Sequence, residues 1–510
     1  MQEKKRLSIN IIAQFISFAV QFGINFFLTP YIVKKLGADA YGFIGLASSF
    51  VMYAQILTVA LNSMAGRFIA IEYHKNNLDA ANKYYTSVYY ANLFLSIIIA
   101  LISLVCCCFL EYLINIPEQL VGDVKALFLF LMFNFLISIL FSVFDVATFI
   151  KNRLDLVAVR GITSNIIRVI IIVPAFAFFI PKLWYVGLAS VICTLYMTNV
   201  NYRYKLKLTP ELKVNRTQFE YAKIFRIVSS GVWNTIARLA NLLSQGFDLL
   251  FANLFIGATA MGYFSITKHF PVIVVSLVNS ICSAFAPSLT KMYAKGNKEE
   301  IKNELIFSVK ITGVLATLPL CFLFSFGDVF YKLWLPNQDS TQLYVLTLIG
   351  ISYLPINLAL EGIQNIWPVL DKVKYYSIFS ISFSVLTLVT LFGLINFVPS
   401  HHRLYFLASV SAFWNFIKFG VFVPLYASYC LKLKWGFFYK DILHVLIAVI
   451  LIVFLMLGIK NLIAVNSWLI FFIVLLIEVF VCFGIDSLII FDRNDRKKVS
   501  NLIFSKIRLC

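Results

Sequence analysis

Apolar stretches of roughly twenty residues alternate with short polar breaks along the whole chain. A run of about eighteen or more apolar residues crosses a hydrocarbon core of roughly 30 Å as a helix. Fourteen transmembrane spans are predicted on that basis, at 8–29, 42–63, 84–109, 124–149, 161–180, 184–202, 225–252, 262–286, 304–325, 343–367, 375–397, 404–429, 441–459 and 467–491. The stretch before Thr29 is too long for a signal-peptide core and lacks a small-residue cleavage site, so it reads as a retained first helix.

Polar residues inside these spans are not scattered. On span 1, Asn10, Gln14, Ser17, Gln21 and Asn25 are spaced 4, 3, 4 and 4, which puts them on one helical face. Span 2 has Ser48, Gln55, Thr58 and Asn62 on one face. Span 7 has Asn234, Arg238, Asn241, Gln245 and Asp248, and span 8 has Ser265, Lys268, Ser276, Asn279 and Ser283. The commonest role of such residues is interhelical hydrogen-bonding glue. Four full-length stripes on these four helices fit a shared hydrated cavity better, because polar groups are costly in a membrane unless they face protein or water.

The stripes belong to a repeat. GADAYG, from Gly37 to Gly42, follows span 1, and GATAMG, from Gly257 to Gly262, follows span 7. At the same offset Gln14 falls on Asn234, Gln21 on Asn241, Asn25 on Gln245 and Phe50 on Phe270. Both motifs follow helices running the same way, so the repeat is parallel. The expected layout is an N-terminal lobe at 1–202 (spans 1 to 6), a basic linker at 203–224, a C-terminal lobe at 225–429 (spans 7 to 12), and two appended helices with a basic tail at 430–510.

Composition excludes a water-soluble fold, since 61% of the 510 residues are hydrophobic and only 13% are charged. The net charge of +19 comes from the loops. With the N-terminus inside, inner segments hold 31 Lys and Arg against 6 outside, the positive-inside pattern for an even number of crossings with both termini cytoplasmic. The nine Cys lie mostly in apolar segments, with neither zinc-ligand spacing nor a disulfide framework. No GxxxxGK[ST] loop occurs, and the five His form no metal or nucleophile constellation, so enzymatic function has little support. No cofactor is expected.

Charges inside the spans carry the chemistry. Arg238 lies near the middle of span 7 on the polar face, where a cation facing lipid would cost roughly 2.5–3.5 kcal/mol. With Arg67 and Arg226 at cytoplasmic ends and Lys268 toward the outer end of span 8, it makes a track for an anion, although each end residue alone also fits positive-inside placement. Asp248 and Lys268 flank the turn near Gly257 at similar depth, which suits either a structural ion pair or ion coupling. Glu361 on span 10 and Lys418 on span 12 read as a structural pair, and Glu361 is a second candidate for proton or sodium coupling. Arg168 and Lys310 read as snorkelling to nearby ends, and Asp145 as a neighbour of Lys151 and Arg153. No role is assigned to Glu478, alone on span 14.

The segment PYIVKKLGADAYG, from Pro30 to Gly42, between two polar-striped helices, resembles the polysaccharide flippases of the Wzx type in the multidrug, oligosaccharidyl-lipid and polysaccharide (MOP) exporter superfamily. That resemblance implies two six-helix lobes with helices 1, 2, 7 and 8 around a cavity, alternating access, and a bacterial inner-membrane location. The implied substrate is an undecaprenyl-pyrophosphate-linked oligosaccharide for O-antigen or capsule assembly, with a glycan polymerase or ligase of the same pathway as partner. Cationic cavity residues of the family bind the pyrophosphate or anionic sugars, a role carried onto Arg238, Lys268 and Arg67. The polar residues Asn234, Asn241, Gln245, Gln14, Gln21, Asn25, Gln55 and Asn62 line the same cavity. Within the superfamily, a lipid II flippase and a cation-coupled multidrug antiporter are the alternatives. The antiporter calls for a carboxylate in the first lobe's cavity, and spans 1 and 2 contain none. A glycan polymerase or ligase, with one large periplasmic loop, fits the short outer loops poorly.

Overall fold

The computed structural model describes residues 2–245, 247–282, 298–370 and 372–493 with positions 285, 289, 292, 293, 495 and 496; of 2–12, 15, 233, 234, 237, 241, 244, 245, 280, 298 and 368 it describes the backbone alone. Among the described residues, all fourteen predicted stretches are largely helical. In chain order they are α1 (Gln2–Leu36), α2 (Ala38–His74), α3 (Leu78–Cys108), α4 (Val121–Leu140), α5 (Leu154–Phe178), α6 (Trp184–Leu208) and α7 (Tyr221–Gln245, resuming as Phe247–Phe255). Then come α8 (Ala258–Thr267 and His269–Cys282), α9 (Lys298–Trp334), α10 (Ser340–Ile351, then Leu354–Ala359), α11 (Val373–Leu394), α12 (Arg403–Ile417 and Val423–Cys430), α13 (Tyr439–Leu462) and α14 (Trp468–Ile489).

Among the described residues, eleven helices are long and apolar enough to cross a membrane. The other three are α6, α7 and α10, whose apolar character is diluted by polar residues or interrupted. Exposed Phe94, Leu101, Phe454 and Phe480 on α3, α13 and α14 present the apolar surface that lipid requires. Several helices outrun their predicted spans. Two are capped by side chains at their starts, with Asn77 accepting from the Ala80 amide of α3 and Asp339 from the Thr341 and Gln342 amides of α10.

The chain divides into two compact units, 1–265 and 266–510. In the first, α2 packs against α3, α4 and α7, α1 against α5, and α6 against α4 and α5. In the second, α9 is central and packs against α10, α13 and α14, while α12 packs on α10 and α11. The basic segment beyond α6 is held along the start of α3. There the Lys213 amide donates to Asn82, Thr86 donates to the Lys213 carbonyl, and Ser87 both donates to and accepts from the Glu220 backbone.

The repeated glycine motif has a mechanical explanation in the first unit. Gly37 and Gly257 both turn the chain with positive φ, 85° and 136°, where a side chain would be strained. Five residues on, the motif's last glycines face each other. A Cβ on Gly42 would lie 2.8 Å from the Gly262 amide nitrogen, and one on Gly262 would meet the Ala38 carbonyl. Small residues at a membrane-helix contact let two backbones approach, and van der Waals packing then holds them.

Candidate functional site

The close approach of α2 and α7 is what presents the candidate cation. At Gly231 an added Cβ would collide with the Ala60 carbonyl of α2, so nothing larger than glycine fits there. Two turns further along α7, Arg238 stands midway between Tyr221 and Phe255 with its side chain exposed. Its Nη2 donates to the Gln55 Oε1 of α2 at 3.3 Å, and no carboxylate pairs with it among the described residues. A guanidinium held by a neutral amide keeps most of its five donors for an anion. Toward the end of α7, Asp248 is buried within electrostatic reach of Tyr53, whose ring stacks on Phe247 at 5.2 Å.

A second mid-membrane cation is present in the same unit. Arg168 of α5 donates through Nη2 to the Asn25 Oδ1 of α1 at 2.8 Å, while its buried Nε has no partner among the described residues. The predicted span begins at 161, beyond the charges at 151, 153 and 160, and so places Arg168 near a cytoplasmic end. In the structure the two arginines among those charges are paired. Arg153 forks onto Asp155, and Arg160 reaches Asp145 at 3.1 Å, with Asn201 donating to the same carboxylate. The helix therefore begins at Leu154 and carries Arg168 to its centre, which corrects the snorkelling reading. Asp145 likewise pairs with Arg160 rather than with Lys151 or Arg153.

The other predicted residues divide. Gln14 donates to the Leu154 carbonyl at 3.1 Å and Gln21 is exposed, both on α1. Asn62 exchanges bonds of 3.0 Å with Asn92 of α3 and accepts from Ser142, the interhelical glue that its face also allows. Arg67 is exposed near the end of α2, and Arg226 lies over the Phe68 ring at 5.6 Å. The side chains of Asn234, Asn241 and Gln245 lie outside the described residues.

A model of the family described as "polysaccharide biosynthesis protein" matches residues 7–293, more than half of the chain. The chain belongs to the polysaccharide biosynthesis protein family. A relative from Bacillus subtilis (strain 168), "uncharacterized membrane protein EpsK", is 28% identical over 466 residues, 91% of each protein. Among solved structures, an inward-facing multidrug resistance MATE family transporter of the MOP superfamily superposes with a TM-score of 0.67 at 13% identity, covering 84% of this chain and 98% of that one. The lipid II flippase MurJ in an inward closed conformation gives 0.66 at 14% identity, covering 94% and 98%. At such identities the likeness shows a shared fold, that of the MOP transporters. The protein is thus a multi-pass membrane protein of the polysaccharide biosynthesis family with the MOP-transporter fold, as the Pro30 to Gly42 segment implies.

In the second unit of this polysaccharide biosynthesis protein, Lys268 occupies the turn that divides α8. Glu361 opens a 3-10 turn, Glu361–Asn365, and accepts from Gln364 Nε2 at 2.7 Å, while Gln364 Oε1 accepts from the Tyr376 hydroxyl. Lys418 starts a π-helical segment of α12, Lys418–Phe422, buried over the Phe419 ring at 5.0 Å. Glu361 and Lys418 lie within electrostatic reach of each other, but the carboxylate's direct bond is to Gln364. Lys310 departs from the snorkelling reading altogether: it is buried, with ion pairs of 2.7 Å to Asp492 and Asp495.

Proposed function

We propose that the protein moves an undecaprenyl-pyrophosphate-linked oligosaccharide from the cytoplasmic to the outer leaflet of the bacterial inner (cytoplasmic) membrane by alternating access, with both termini cytoplasmic. The observation that carries this reading is Arg238, a cation at mid-helix, exposed and, among the described residues, bonded only to the neutral Gln55. A pyrophosphate gains far more from such a cation in a partly dehydrated site than it would in bulk water. Arg168 against Asn25 supports it with a second mid-membrane cation on the α1 polar face. The carried glycan would serve O-antigen or capsule assembly, handed on to a glycan polymerase or ligase. Lys268, Arg67 and the polar residues of α1, α2 and α7 would complete the path, and Asp248 and Glu361 stand as candidate sites of proton or sodium coupling.

The test is complementation of surface glycan. Arg238→Ala, present at normal protein level, is expected to abolish it, while Arg238→Lys keeps part of the activity because charge survives without the bidentate fork. Wild-type glycan from the alanine variant would refute the assignment.

A further inference from the structure

The second unit contains a seam of ionisable and polar side chains that the anion site does not use. It runs where α9 packs against α14, with α13 alongside. On α9, Lys310, Thr317, Cys321, Ser325 and Asp328 are spaced 7, 4, 4 and 3, one face of a helix. On α14, Glu478, Cys482 and Asp486 are spaced 4 and 4. At one end Lys310 holds Asp492 and Asp495, and this ion pair keeps the Asp492 carboxyl below the usual carboxylate range. Next, Thr317 donates to Asp486 Oδ2 at 2.5 Å. The buried thiols Cys321 and Cys482 follow, both within electrostatic reach of Glu478. At the far end Lys460 of α13 donates to the Ser325 carbonyl at 3.0 Å and pairs with Asp328 at 2.5 Å. From Lys310 to Asp328 is about 27 Å of helix at 1.5 Å per residue, close to a hydrocarbon thickness of roughly 30 Å.

Two carboxyl groups in this seam lack what a structural carboxylate needs. Glu478 is fully buried, 0% exposed, and neither of its oxygens has a hydrogen-bond partner among the described residues. Asp486 is 2% exposed, and its Oδ1 is likewise bare. An uncompensated buried carboxylate is too costly to persist, so each group is stable only with a proton or a small cation on it. Eight residues separate them, about 12 Å along the helix, so they cannot share one ion. Thiols are poor ligands for a hard cation, which takes oxygen donors. Glu478 therefore suits a proton.

We propose that the α9–α14 seam is a proton path, in which Asp486 and Glu478 carry the proton in turn and the ion pairs of Lys310 and Lys460 close its two ends. One proton enters as one leaves, and each carboxyl alternates between acid and carboxylate with no bond changed except O–H. This supplies a driving ion for the proposed transport and rests on that reading for its purpose, while its chemistry is independent of the lipid carried. The other titratable groups facing the seam are Cys321 and Cys482 between the carboxyls, and Asp441, near Lys310 with Lys440 and His444 beside it on α13.

Infrared difference spectroscopy tests this on the full chain in phosphatidylethanolamine and phosphatidylglycerol vesicles, with no glycan lipid present. The expected result is protonated-carboxyl absorption that titrates with bulk pH, from which the Glu478 component is lost in Glu478→Gln, persists in Glu478→Asp, and shifts its midpoint in Asp486→Asn. A band unaffected by pH, or unmoved by Asp486→Asn, would overturn the path. A midpoint set by sodium concentration would also overturn it, in favour of a sodium site. Failure of the glycan reading would leave all these spectra unchanged.

Discussion

The helix contacts around α1, α2, α3, α5 and α7 of the first unit and the α9–α14 seam of the second both place polar side chains at membrane depth, and they solve the cost in opposite ways. The first uses amides and guanidinium groups. Arg238 rests on Gln55, Arg168 on Asn25, and Asn62 on Asn92, so the groups there are exposed or bonded to neutral partners. The second uses carboxyls and thiols sealed inside the bundle, with the oxygens of Glu478 bare. An exposed cation is ready for an anion of any size, whereas an enclosed carboxyl can accept only something as small as a proton. One helical membrane protein thus holds two chemistries, an exposed polar set in its first unit and an enclosed one in its second.

The comparison breaks most completely if the backbone device fails. Gly262→Leu would drive a side chain into the Ala38 carbonyl, and overpacking of a tight contact typically costs about 1–3 kcal/mol and more against backbone. Little folded protein is expected in the membrane fraction. At Gly350 in the second unit an added Cβ meets nothing within 4 Å, so the yield of Gly350→Leu should stay close to wild type. Equal yields from the two would remove the close approach as the reason for glycine at 262.

Arg168→Ala sharpens the chemical side of the contrast. Surface glycan should fall severalfold but not vanish, since Arg238 remains, and Arg168→Lys should restore part of it. Unchanged glycan in the alanine variant would reduce Arg168 to a packing residue.

The smallest effect belongs to Asn253, which is fully buried and exchanges backbone and side-chain bonds of 2.8–3.1 Å with Asn115 beyond α3. Asn253→Ala leaves the Asn115 amide without that acceptor, a loss of about 1–3 kcal/mol. The melting temperature in detergent should drop by several degrees with glycan export retained. An unchanged melting temperature would show that water replaces the bonds.

Hydropathy made the helices legible because membrane spans must satisfy their backbones internally, and the glycine repeat was legible because two turns and one contact demand it. Arg238 could be read from its stripe. Arg168 could not, since its depth depends on two neutralising pairs, Arg153 with Asp155 and Arg160 with the Asp145 carboxylate that also accepts from Asn201, which let α5 begin at Leu154. The seam was hidden for a related reason. Glu478 shares its face of α14 only with Cys482 and Asp486, and the packing of α9 beside α14 is what adds Thr317 and Cys321 to them. Periodicity within one helix reports a face, but not what a second helix brings to it.

The central claim, that Arg238 engages the anionic head of a lipid-linked glycan during its crossing, is tested most directly by leaflet accessibility. In inverted membrane vesicles from cells lacking their own flippase, a membrane-impermeant oxidant should label little of the lipid-linked oligosaccharide when the wild-type protein is present, because the pool has crossed into the lumenal leaflet. With Arg238→Ala at equal abundance, most of the pool should remain exposed and labelled. Equal protection in wild type and variant would contradict the account.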